Sequence, residues 1–152
     1  MENIFFLLKN SAFLTGEIWE MPHSLWYNES SGFLLGLILT LITSFVICLI
    51  FFHVFPLLFR NTPLTTLKWL LFMVINAAAI FFITFLVAKN GIINYAETND
   101  YISSSPAMLS MLKKGTFDMW MFGAQNAIYS LVMYFALTFI CRLKSRGFNI
   151  PF

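Results

Sequence analysis

A chain of 152 residues that is 59% apolar and only 11% charged lacks the polar side chains needed to coat a surface in water, which excludes an ordinary soluble domain. A net charge of +2 says little by itself, nucleic acid is not an expected partner, and a mean hydropathy of +0.79 points to lipid as the solvent. The expected fold class is all-α: a polytopic helical membrane protein, with about three transmembrane helices in one membrane domain over 1–152.

Residues 3–27 read as an interfacial segment. Ile4 to Leu8 and Ala12 to Leu14 flank Lys9 and are too short to span, and Glu2 stands where a signal peptide carries positive charge. Trp19, Trp26 and Tyr27 gather just ahead of the first long apolar run, where aromatic rings favour the headgroup level. A partial or re-entrant crossing is the rival reading of this segment.

The first span covers 32–59, free of charge until Arg60, with Pro56 in its last turn. Thr62-Pro63 reads as a cap and first helical position for the second span, 67–88, which Lys89-Asn90-Gly91 is expected to close. The polar stretch 90–117 forms an outer loop. Within it, Ser105-Pro106, Lys113-Lys114 and Gly115 specify a short helix over 106–114. The third span covers 118–141, followed by a basic tail, 142–152.

An odd number of spans puts the termini on opposite sides. Arg60, Lys68, Arg142, Lys144 and Arg146 fall on one side without an acid, while all seven acids share the other with Lys9, Lys89, Lys113 and Lys114. The denser basic set marks the cytoplasmic face, so the expected topology is N-terminus outside and C-terminus cytoplasmic, in an inner or plasma membrane.

Reactive chemistry is sparse. The sequence offers no phosphate loop, metal cluster or nucleophile–base pair, so catalytic, cofactor and metal sites are all expected to be absent. Cys48 and Cys141 lie in apolar runs and read as small core residues. His53 reads as a packed or snorkelling residue, and the topology separates it from His23. Asn28-Glu29-Ser30 matches a glycosylation acceptor, a motif too short to argue from.

Two patterns stand out inside the spans. Gly32, Gly36, Thr40 and Ser44 recur at a spacing of four, and Gly123 and Ala127 repeat it once; small residues on one stripe let helices approach closely, within the chain or between copies. Asn76, Gln125 and Asn126, with Thr40, Thr43 and Ser44, fall near the middle of a ~30 Å hydrocarbon core. Such groups must face one another or a neighbouring chain, because an unpaired amide in hydrocarbon costs several kcal/mol. These patterns suit a non-enzymatic membrane subunit. Its partners would be the bilayer, copies of itself or other membrane subunits, and it would anchor or scaffold a larger complex. An oligomeric channel, with Thr40, Asn76, Gln125 and Asn126 lining it, is the alternative.

Overall fold

The computed structural model describes residues 26–27, 30–58, 66–99, 110 and 112–142. Three helices long and apolar enough to cross a membrane account for nearly all of them, and no strand occurs among the described residues. They are α1 (Gly32–Leu58), α2 (Thr66–Thr98) and α3 (Phe117–Arg142). The chain is an all-α, multi-pass membrane protein. Only 22–33% of the residues in each most apolar window are buried in the bundle. Leucine, isoleucine, valine and phenylalanine fill much of the remaining surface, which is stable in acyl chains and not in water.

The helices pack along one kind of row. The inward residues of α1 are Gly32, Gly36, Thr40, Ser44, Cys48 and Phe52; those of α2 include Asn76, Ile80, Thr84, Ala88, Ile92 and Ala96; those of α3 include Phe122, Asn126, Ser130, Tyr134 and Thr138. Each set repeats every four residues. Four exceeds the 3.6-residue helical period, so every stripe winds in the right-handed sense, as small-residue membrane contacts commonly do. α2 and α3 share the most extensive interface, and α1 leans mainly on α3.

α1 does not end at Pro56. It is regular from Gly32 to Leu49, widens to a π-turn over Ile50–Val54, and resumes over Phe55–Leu58. Pro56 has no N–H for the Phe52 carbonyl and its ring crowds that oxygen; a wider turn ahead of it relieves both problems. The turn also keeps Phe51 and Phe52 on the buried face, edge-on to each other, with Phe51 stacked on Phe55 and tilted against Phe72.

α2 corrects the expected boundary. It runs through Lys89-Asn90-Gly91 to Thr98, 33 residues and so about 50 Å, well beyond a ~30 Å core. Two things sustain the extension. Ala88, Ile92 and Ala96 continue the buried stripe, and the Trp26 indole lies against the bare Cα of Gly91. Gly91 is a seat for a ring, where the local pattern reads as a helix stop. Gly115 (φ 89°) is the glycine whose backbone conformation disfavours any side chain, in the turn leading into α3.

Trp26 and Tyr27 plug this end of the bundle. Trp26 meets Tyr27 and Phe122 edge-on at 5.0 and 6.2 Å, and Tyr27 stacks on Phe33 at 5.1 Å. Burial, and secondarily the nearby Asp118 charge, push the Tyr27 phenol well above its usual value of 10.0. An unfolded tyrosine releases its proton first, so this contribution to stability is present below pH 10 and declines as pH rises beyond it. Ultraviolet titration of the folded chain should show at least one phenol ionising later than the exposed ones; simultaneous ionisation of all five tyrosines would contradict this burial.

The remainder of the interfacial segment 3–27, the Thr62-Pro63 cap, most of the 106–114 helix and the tail past Arg142 lie outside the described residues.

Candidate functional site, a buried polar ladder

The polar residues of the three spans meet along the bundle axis. Thr40, Ser44, Asn76, Thr84, Gln125, Asn126 and Ser130 are all at 0% exposure. From the Trp26 end, Gly36 comes first, facing Phe122 and the Asn126 amide. The Thr40 hydroxyl donates to the Gly36 carbonyl at 2.8 Å and also lies 3.2 Å from Asn126 Oδ1, a single proton shared between α1 and α3. Asn126 Nδ2 donates to the Phe122 carbonyl at 2.9 Å.

One turn deeper, Asn76 ties all three helices together. Its Nδ2 donates to Ser44 Oγ of α1 at 3.0 Å and to the Ser130 carbonyl of α3 at 3.2 Å. That carbonyl has a second lone pair, so α3 need not give up its own ladder bond. Ser130 Oγ turns back to the Ala127 carbonyl at 2.7 Å. Asn76 Oδ1 meets no donor among the described residues.

The far rung is aromatic and sulfur-rich. Trp69 Nε1 donates to Thr138 Oγ1 at 3.0 Å, and Thr138 donates to the Tyr134 carbonyl at 2.8 Å. Cys48, Phe51, Phe52, Tyr134 and Cys141 pack around this pair.

The sequence-derived residues divide clearly. Gly32, Gly36, Thr40 and Ser44 face inward and are consumed by contacts within the chain, to Trp26, Phe122, Asn126 and Asn76. Gly123 also faces inward: a Cβ there would sit 2.9 Å from the Phe81 carbonyl, so the α2 and α3 backbones touch. Asn76 and Asn126 occupy the ladder as their depth suggests. Gln125 is buried but bonds Tyr129 one turn along its own helix. Thr43 and Ala127 are only half-buried, because three- and one-residue offsets from Thr40 and Asn126 rotate them off the spacing-of-four row.

Thr84, Ser130 and Thr138 were not singled out by the sequence, although the same spacing, extended along α2 and α3, passes through all of them. Hydroxyls that return to a carbonyl three or four residues back carry little polarity signal. No group of three or more His, Cys, Asp or Glu side chains that could hold a metal occurs among the described residues. His53 is half-buried on the π-turn.

Energetically this ladder is adhesive. Interhelical hydrogen bonds in membranes contribute about 0.6 kcal/mol on average and about 1.7 at most. Asn76→Leu removes two of them at once and is expected to cost about 1–2 kcal/mol, read as an earlier midpoint in mixed-detergent unfolding. An unchanged midpoint would show that the Asn76 bonds contribute nothing.

No protein-family model, curated protein or solved structure matches the chain.

Proposed function

We propose that the chain is a non-enzymatic integral membrane subunit that anchors or scaffolds a larger complex of an inner or plasma membrane. The observation that carries this reading is the closure of the polar ladder. Thr40, Ser44, Asn76, Asn126 and Ser130 bond to one another or to their own helices, with Asn76 Oδ1 the atom of this set that meets no donor, and among the described residues no set of polar side chains is arranged as a lumen. The channel alternative requires those residues to face water, and that requirement finds no support in their pairing.

Because the small-residue stripe is occupied inside the bundle, assembly falls to outward faces. The broad candidates are the apolar rows of α1, around Leu34, Ile38, Leu41 and Phe45, and the part of α2 past Lys89. The denser basic set supports an orientation with the N-terminus outside and the C-terminus cytoplasmic.

The test is native mass measurement of the chain extracted in lipid nanodiscs, paired with ion flux in liposomes. A heavier complex, with copies or other membrane proteins, and tight liposomes are expected. A lone chain without any companion, or a steady ion leak, would overturn the proposal.

A further inference from the structure

The far rung of the ladder contains the chain's only two cysteines, distant in sequence and contributed by α1 and α3. Both are free thiols, and each lies in hydrogen-bonding reach of the other. Cys48 is fully covered and Cys141 is 4% exposed. The π-turn begins two residues after Cys48, so the α1 backbone there is not locked in the middle of a regular helix. Disulfide closure needs adjacent sulfurs, and the two thiols meet within one buried cluster.

We propose that Cys48 and Cys141 form a redox-active dithiol, which closes to a disulfide between α1 and α3 when oxidised by a membrane-soluble hydroperoxide. The oxidant class follows from the location. The pair is walled by Phe51, Phe52, Trp69 and Tyr134, in a segment apolar enough to sit in acyl chains, so an oxidant that partitions into lipid reaches it more readily than one confined to water. Cys141, the less covered thiol, meets the oxidant first. Its sulfur attacks the distal peroxide oxygen; the O–O bond breaks, the departing alkoxide takes the thiol proton and leaves as an alcohol, and Cys141 becomes a sulfenic acid. Cys48 sulfur then attacks Cys141 sulfur; the S–O bond breaks, and hydroxide leaves with the Cys48 proton as water. Two thiols lose two electrons and one hydroperoxide gains them.

The test uses the full chain in liposomes treated with cumene hydroperoxide, then acid-quenched, denatured and labelled with a maleimide-polyethylene glycol. Two labels per untreated chain should fall to zero, the mass should drop by two hydrogens without dimer formation, and dithiothreitol should restore both labels. Equimolar aqueous hydrogen peroxide should act several-fold more slowly. In Cys48→Ser the sulfenic acid at Cys141 has no thiol to resolve it and should be captured by dimedone, whereas wild type should show little adduct. Retention of both labels in treated wild type, loss that dithiothreitol does not reverse, or bridging only between chains would each overturn the proposal. The wild-type thiol count stands even if the serine variant fails to fold.

Discussion

Gly36→Leu is expected to unfold the bundle, at a cost of about 3 kcal/mol or more. Even a bare Cβ at Gly36 collides with the Phe122 ring and stands 3.1 Å from Asn126 Nδ2. Phe122 cannot swing aside, because it is fully buried against Trp26, Tyr27 and Phe33. α1 must therefore move away from α3, which also breaks the bond between Thr40 and Asn126 one turn along. Leu35→Ala, next door on a face that is 41% exposed, should change stability by less than about 0.5 kcal/mol. The pair of variants separates two meanings of the small-residue stripe. A contact within the chain predicts that Gly36→Leu lowers the unfolding midpoint of the single chain. A contact between copies predicts an intact fold and a smaller assembly.

Trp26→Ala should cost about 3–5 kcal/mol, the usual range for removing a large buried aromatic. The indole touches α1 at Gly32, where a Cβ would lie 2.7 Å from its ring, α2 at Gly91 and α3 at Phe122. Its loss should show most clearly in the extension of α2, whose hydrogen bonds past Lys89 are expected to exchange much faster while those around Asn76 stay protected. Gly91→Leu should reproduce that pattern by displacing the ring from the opposite side. Uniform protection along α2 in either variant would mean that the extension is held by something other than the indole seat.

Three spans were legible in the sequence because hydropathy is local and additive: a run of about twenty residues without charge has few alternatives to crossing lipid. The described starts of α1, at Gly32, and α3, at Phe117, lie within a residue of expectation for the same reason. The limit of α2 does not, because Lys89-Asn90-Gly91 resembles a helix end only to its neighbours in sequence. Trp26, far away along the chain, converts Gly91 from a stop into a seat. The π-turn is a second case. Pro56 signals an interruption, but whether the helix breaks or widens depends on Phe51 and Phe52 having a buried surface to return to.

The ladder shows the same division. Depth along each span identifies Asn76 and Asn126, since distance from a charged boundary is a one-dimensional measure. Choosing Thr40 and Ser44 over Thr43 requires the rotation of α1 about its axis, and the row of small residues at every fourth position already contains that information. Ser130, Tyr134 and Thr138 obey the same period in α3.

What the amino-acid order determined by itself is the solvent, the three spans among the described residues and the buried row on α1, all of them consequences of local composition and the helical period. What only the tertiary structure decided is which helix each row meets. That is why the glycines of α1 are spent on Phe122 and Asn126, why Asn76 bridges Ser44 and Ser130, and why two remote cysteines share one rung. Pairing depends on the relative rotation and height of separate helices, and no single helix carries that quantity.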